Sequence, residues 1–75
     1  MSWYADINLK SGKNIIVDNL NLINKLSTVD SSVEKITDFN AFFLLKNQRL
    51  SFIGEKSIAT LMSDEIEYIE FKQHD

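Results

Sequence analysis

Apolar and polar side chains alternate along the first ten residues of the chain. The apolar residues at every second position are Trp3, Ala5, Ile7 and Leu9. A period of two places alternate residues on opposite faces of a strand, so the pattern predicts a β-strand over residues 2–10 with one buried face.

A second strand is expected directly after the first. Ser11-Gly12 separates the first run from Asn14-Ile15-Ile16-Val17-Asp18. A Ser-Gly pair between two β-prone runs is typical of a hairpin turn. We therefore expect strands one and two to be antiparallel neighbours.

The spacing of apolar residues changes between Asn19 and Asp38. Leu20, Ile23 and Leu26 are three residues apart, with Leu22 widening the apolar stripe, and Asp18 can cap the start of a helix. This spacing predicts a short helix, although the asparagines at 19, 21 and 24 favour turns.

The remainder of this segment leaves two interpretations open. Ser31 and Glu34 have the spacing of a helical capping box, which predicts a second short helix after the polar residues 27–32. The alternative is that residues 19–38 form a loop with irregular turns.

The centre of the chain returns to β character. Residues 39–46 contain Phe42-Phe43-Leu44-Leu45, which is apolar on both faces and predicts a central strand that is covered on both sides. Asn47-Gln48 can form a turn, followed by strands over residues 49–53 and 57–62 on either side of Gly54-Glu55. We expect these three strands to form a meander.

The last segment fits either a helix or a strand. Asp64 and Glu67 have capping-box spacing, but Ile66, Tyr68 and Phe71 are β-favouring residue types. We predict a strand over residues 64–71, with a β-bulge between Tyr68 and Ile69 to explain the shift in phase. The residues after it, His74 and Asp75, are expected to be frayed.

Together these elements predict an α+β, β-rich fold in a single domain over residues 1–75. About five antiparallel strands would form a bent meander sheet or small barrel, with one or two short helices between strands 2 and 3. The strands that are apolar on both faces need cover, which the predicted helix or a second copy of the chain would supply.

Part of the chain is similar to small SH3-like or Sm-like barrels. The similarity rests on a glycine after each of two strand-like runs, Gly12 and Gly54, and on the closing Asp64-x-Ile66-x-Tyr68-Ile69-Glu70. It carries no motif diagnostic of those families, so neither RNA binding nor a site is transferred.

Composition narrows the chemistry that the chain can perform. It has 75 residues, 44% of them hydrophobic and 25% charged, which is ordinary for a folded protein. No cysteine is present, which excludes disulfides and thiolate metal sites, and His74 is the one histidine. We therefore expect no catalytic residue, metal or cofactor, and no small-molecule substrate.

The N-terminal residues and the apolar runs indicate a compartment. No run approaches the roughly 20 apolar residues that span a bilayer, and the first residues lack the pattern of a secretory signal. We expect a cytoplasmic protein that does not associate with membranes. The abundance of Asn, Ile and Lys is typical of an AT-rich bacterial or phage gene.

Acidic residues cluster near the end of the chain. The candidate contact residues for a protein partner are Asp64, Glu65, Glu67 and Glu70, together with Tyr4 on the first strand. These carboxylates could simply be a solvated face, or they could protect an edge strand from aggregation. The functional hypothesis is a non-enzymatic protein-interaction, accessory or regulatory module that binds a basic protein partner or itself.

The alternative function is a small barrel that binds single-stranded nucleic acid. Its contacts would be Lys46, Arg49 and Lys56, with bases stacked on nearby phenylalanines. A formal net charge of −3 makes the chain a poor electrostatic match to a polyanion.

Overall fold

The computed structural model describes residues 2–74, which form seven β-strands and two short 3-10 turns. The strands are β1 (Ser2–Leu9), β2 (Asn14–Val17), β3 (Leu20–Ser27), β4 (Val33–Ile36), β5 (Gln48–Gly54), β6 (Ile58–Met62) and β7 (Ile66–His74). The 3-10 turns are Phe39–Ala41, between β4 and β5, and Ser63–Glu65, between β6 and β7.

The strands form two antiparallel sheets. The first sheet has the order β2-β1-β7 and the second has the order β4-β3-β5-β6. Within residues 2–74 there is no α-helix and no closed barrel. The prediction of an α+β fold with about five strands in a meander or barrel is therefore wrong, because the protein is all-β.

One hydrophobic core lies between the inward faces of the two sheets. The first sheet contributes Ala5, Ile7 and Val17, and the second contributes Ile23, Leu50 and Phe52, all of them 1% exposed or less. Neither sheet could bury its apolar face alone, so each provides the cover that the other needs.

The N-terminal hairpin confirms the prediction made from alternation. Trp3, Ala5, Ile7 and Leu9 pack in or against the core, and β1 pairs with β2 from Ala5 opposite Val17 to Asn8 opposite Asn14. Gly12 adopts a φ of 94° in the turn, a conformation that glycine accepts without steric cost.

The helix predicted within residues 19–38 is wrong, and so is the alternative of an irregular loop. This segment is the β3–β4 hairpin, in which Leu26 lies opposite Val33. A register shift between Leu20 and Leu22 makes Asn21 an extra residue. Because a bulge moves later side chains to the other face, Leu20 and Ile23 both point into the core, and their spacing of three imitates a helix.

The predicted capping box at Ser31 and Glu34 is also absent. Ser31 has a φ of 61° in the turn between β3 and β4, and Glu34 lies in β4. The Glu34 carboxylate pairs with Lys25 Nζ across the hairpin at 3.2 Å. The turn is instead supported by the side chains of Ser27 and Asp30, which accept hydrogen bonds from the backbone N–H groups of Val29 and Ser32.

The predicted central strand over residues 39–46 is wrong as well. Phe39 begins a 3-10 turn in which the Asp38 side chain accepts a hydrogen bond from the Asn40 backbone N–H. The apolar residues 42–45 that follow are neither helix nor strand. β5 instead begins at Gln48, directly after Asn47, whose φ of 60° confirms the predicted turn.

The strands after Asn47 confirm most of the remaining predictions. Leu50 and Phe52 point to the core from β5, and β6 pairs antiparallel with it. The predicted bulge in the last strand exists, but at Glu67: Asn8 lies opposite Tyr68 and Leu9 opposite Ile66, so Glu67 is left without a partner.

The end of the last strand is ordered rather than frayed. β7 runs to His74, which lies opposite Ser2. The prediction for Asp75 falls outside the described residues. Among residues 2–74, no helix is long and apolar enough to cross a membrane.

Candidate functional site

The last strand, β7, is paired along one side only. Its partner is β1, and the nine residues of β7 make it the longest strand at the edge of either sheet within residues 2–74. An edge strand of this length presents a row of backbone groups to which another strand can bind.

The hydrogen bonds around Leu9 show which backbone groups of β1 face β7. Leu9 N–H donates to the Lys13 carbonyl and its own carbonyl accepts from Gly12, both on the β2 side, whereas Lys10 N–H donates to the Glu65 carbonyl just before β7. Successive residues of an antiparallel strand alternate between their two neighbours. The even-numbered residues of β1 therefore face β7.

The same alternation identifies the free groups of β7. The residues opposite the even positions of β1 are Tyr68, Glu70, Lys72 and His74, and these bond to β1. Ile69, Phe71 and Gln73 direct their N–H and C=O groups away from β1. No described residue forms a backbone hydrogen bond with those outward groups.

An apolar groove follows this free edge. It has a volume of about 320 Å³ and is lined by Phe42, Leu44, Glu67, Tyr68, Ile69 and Phe71. One wall is the edge of β7 and the other is the irregular segment of residues 42–45. We call the groove together with the outward backbone groups of β7 the β7 edge.

The segment of residues 42–45 is held at the β7 edge by its first side chain. The Phe42 ring packs edge-on against Phe71, with centroids 5.4 Å apart, and lies 6.4 Å from the Phe52 ring. With Phe42 anchored in this way, the next side chains remain on the surface: Phe43 is 72% exposed and Leu45 is 51% exposed. Of this segment, Phe42 and Leu44 line the groove beside β7, whereas Phe43 lines a separate groove with Lys25 and Glu34.

The outer face of the first sheet is polar and carries an ion-pair array. Lys72 Nζ lies 3.6 Å from Asp6 Oδ2 and 3.9 Å from Glu70 Oε2. The Glu70 carboxylate, and after it Tyr4 and Asp6, raise the pKa of Lys72 above its ordinary value. A cation with neighbours of opposite sign therefore lies near the C-terminal end of β7.

Two aromatic residues extend this face toward the end of β7. The rings of Tyr4 and His74 stack with centroids 4.5 Å apart, and His74 Nε2 lies 3.5 Å from Asp18 Oδ1. Tyr4, expected to be a contact residue, is therefore a half-buried support for His74 in the isolated chain.

The four acidic candidate residues do not form one patch. Asp64 and Glu65 lie in the 3-10 turn before β7, beside Lys10, and Asp64 also shares a groove with Lys46. Glu67 is at the bulge beside the apolar groove, and Glu70 is within the ion-pair array. Two of the four acids, Glu67 and Glu70, thus lie along the β7 edge.

The three cationic candidates for nucleic-acid contact are dispersed. Lys46 shares a groove with Asp64, Arg49 lies on the outward face near the start of β5, and Lys56 is in the turn after the end of β5. Of the nearby phenylalanines, Phe52 is completely buried, and Phe43 is 72% exposed but lines a groove that none of the three cations lines. The structure does not bring these residues to one surface.

Sequence reasoning missed the central features of the β7 edge. The apolar run predicts Phe42 and Leu44 inside a covered strand rather than along a groove, and the outward groups of Ile69, Phe71 and Gln73 depend on which strand pairs with β7. The signal that was available is the surplus of residues that are apolar on both faces, which predicts an uncovered surface without locating it.

No group of three or more metal-ligating side chains is found within residues 2–74. Comparison of the chain with protein-family models, with curated proteins and with solved structures finds no significant match.

Proposed function

We propose that this chain is a non-enzymatic protein-interaction module that binds an extended segment of another polypeptide along the β7 edge. The observation that supports the proposal is the coincidence of two features. The free backbone groups of Ile69, Phe71 and Gln73 run beside an apolar groove lined by Phe42 and Leu44.

These two features supply different parts of a binding site. A strand added to a sheet edge gains backbone hydrogen bonds whatever its sequence, and pockets for its alternate side chains provide selectivity. In this chain the groove would take apolar side chains, while Glu70 and Lys72 on the opposite face would select a strand of complementary charge.

Edge strands are commonly protected against such pairing by bulges and charges. In β7 the bulge is at Glu67, close to the start of the strand, and leaves the residues from 68 to 74 in regular register with β1. A regular stretch of this length, next to exposed apolar side chains, favours a binding edge over a protected one.

Photo-cross-linking in cells that express the chain tests this function. Benzoylphenylalanine replaces Tyr68, which is half exposed and lines the groove, and in a control it replaces Val29, which is 79% exposed in the turn between β3 and β4. We expect a discrete adduct from position 68 that is absent from position 29. We further propose that this contact forms in the cytoplasm.

A proline substitution shows whether the adduct depends on the free edge. Gln73→Pro removes an outward N–H that β1 does not use, whereas Gln73→Ala keeps it. The position-68 adduct should disappear with the proline and persist with the alanine. Identical adducts from positions 68 and 29, or no adduct from either, would show that the β7 edge is not an interaction site.

A further inference from the structure

We infer that the strand that binds to the β7 edge is β7 of a second copy of this chain, paired antiparallel about a two-fold axis at Phe71. This inference rests on the function proposed above and names the partner of the same site.

The backbone permits the register centred on Phe71. In an antiparallel pair, two opposite residues can exchange both of their hydrogen bonds. With the axis at Phe71, each outward-facing residue meets another: Phe71 lies opposite Phe71 of the second copy, and Ile69 lies opposite Gln73 of the second copy. Every outward group from Ile69 to Gln73 then has a partner.

The charges on the outer face favour the same register. Glu70 lies opposite Lys72 of the second copy, and the two-fold axis repeats this pair, so each carboxylate meets an ammonium group. Tyr68 lies opposite His74 of the second copy, which places two aromatic residues side by side at each end of the shared strands.

The neighbouring registers are less favourable. An axis at Glu70 places two carboxylates directly opposite each other, and an axis at Lys72 does the same with two ammonium groups, which destabilises the pair. An axis at Ile69 places Phe71 opposite Glu67, the residue that the bulge leaves out of register. Of these registers, the one with its axis at Phe71 both pairs the outward backbone groups and places opposite charges next to each other.

The inner side of this contact is apolar. The two Phe71 side chains would meet across the axis, each already packed against Phe39 and Phe42 of its own copy. Leu44, 38% exposed, would be covered beside them. The three-stranded sheets of the two copies would become one continuous six-stranded sheet, and the free edge would no longer be open.

Charge reversal with complementation tests this register. Sedimentation equilibrium should give the natural chain twice its monomer mass of 8.7 kDa. Glu70→Lys places two lysines opposite each other, and Lys72→Glu does the same with two glutamates, so each variant should associate roughly tenfold more weakly or worse. An equimolar mixture of the two variants should regain tight association, because each lysine then meets a carboxylate of the other variant.

Complementation by mixing separates pairing from folding. Both substitutions also disturb the ion pairs of Lys72 within one copy, and mixing cannot repair those. Glu55→Lys and Lys56→Glu, in the exposed turn after β5, are matched controls that should leave the association constant unchanged. Thermal unfolding establishes that each variant remains folded.

The inference is overturned if the natural chain stays monomeric, or if the mixture associates no better than either variant alone. If the chain is monomeric but position 68 still cross-links to a different protein, the proposed function stands and only the choice of a second copy as the partner is wrong. If the chain is monomeric and gives no position-68 adduct, both the proposed function and the proposed partner are wrong.

Discussion

Gly54 packs directly against the backbone of Asp18. A Cβ atom on Gly54 would lie 2.5 Å from the Asp18 carbonyl oxygen and 2.8 Å from Val17 Cγ1, so nothing larger than glycine fits there. This contact joins the end of β5 to the turn between β2 and β3. It therefore connects the two sheets at one corner of the molecule.

We expect Gly54→Ala to destabilise the protein by about 2 kcal/mol or more, because the added methyl group meets backbone rather than a flexible side chain. Urea unfolding followed by circular dichroism measures the change. Gly12→Ala is the comparison: nothing lies within 4 Å of a Cβ at Gly12, so only its φ of 94° opposes the substitution, at about 1 kcal/mol. An equal loss from both variants would contradict the close contact at Gly54.

Two phenylalanines in one short segment should differ sharply in their contribution to stability. Phe39 is 7% exposed and packs against the rings of Trp3 and Phe71, at centroid distances of 5.9 and 5.6 Å. Phe39→Ala should cost about 3 kcal/mol or more, a large part of the stability of so small a domain. Phe43→Ala should change the free energy of unfolding by less than about 0.5 kcal/mol, because Phe43 is exposed.

The same urea titration tests both phenylalanine variants. A large loss of stability from Phe43→Ala in the monomer would mean that this side chain is buried. A small loss from Phe39→Ala would mean that the Phe39 ring does not pack where the structure places it.

Local sequence patterns predicted the strands whose two faces differ. β1 alternates without interruption, and Leu50 and Phe52 mark the inward face of β5, so both were found from the sequence. The helix predicted for β3 is wrong because one extra residue, Asn21, changes a period of two into a spacing of three. The spacing of Leu20 and Ile23 alone does not distinguish a bulged strand from a helix.

The β7 edge could be predicted only in part. The sequence shows a strand with mixed charges near its end, and it shows more apolar residues than a single sheet can cover. β7 is an edge strand because β1 is its only partner within residues 2–74. These pairings join residues that are far apart in the sequence, so local patterns do not predict them. The groove beside β7 depends on Phe42 packing against Phe71, which the apolar run does not reveal.

Asp30 should make the stability of the protein depend on acid pH. Hydrogen bonds lower the pKa of Asp30 from its ordinary value of 3.8. The largest contribution comes from the side chain of Ser32, followed by the Ser32 backbone N–H, which lies 3.0 Å from Asp30 Oδ1, and then by the side chain of Ser27. A depressed carboxylate pKa stabilises the folded state above the unfolded pKa, and this contribution disappears as the pH falls through the folded pKa. The relevant window therefore lies below about pH 4.

Asp30→Ala tests this contribution. The variant should have a lower urea midpoint than the natural protein near neutral pH, and the difference should shrink as the pH is lowered below the folded pKa of Asp30. Ser27→Ala should reduce the difference only in part, since Ser32 remains. If the difference in urea midpoint between Asp30→Ala and the natural protein does not change with pH, ionised Asp30 does not stabilise the turn.

Lys72 provides the corresponding test at alkaline pH. Its pKa is raised, with Glu70 as the largest cause, although the Asp6 carboxylate lies closer at 3.6 Å. Asp6 also accepts hydrogen bonds from the side chains of Asn8 and Asn14, so Lys72 is not the only group that stabilises its negative charge. Glu70→Gln should therefore lower the pKa of Lys72 more than Asp6→Asn does, as measured by NMR titration of the Lys72 side chain.

The sign of the accompanying stability effect follows from the raised pKa of Lys72. A lysine whose pKa is higher in the folded state stabilises that state below the unfolded pKa, near 10.5, and the contribution is lost as the pH rises through the folded value. With Glu70→Gln, the free energy of unfolding should therefore fall less as the pH rises above about 10. Because Glu70 and Lys72 also face a second copy in the proposed pairing, the titration is to be done at a concentration where the chain is monomeric. A larger fall in the Lys72 pKa with Asp6→Asn than with Glu70→Gln would show that the nearer carboxylate dominates.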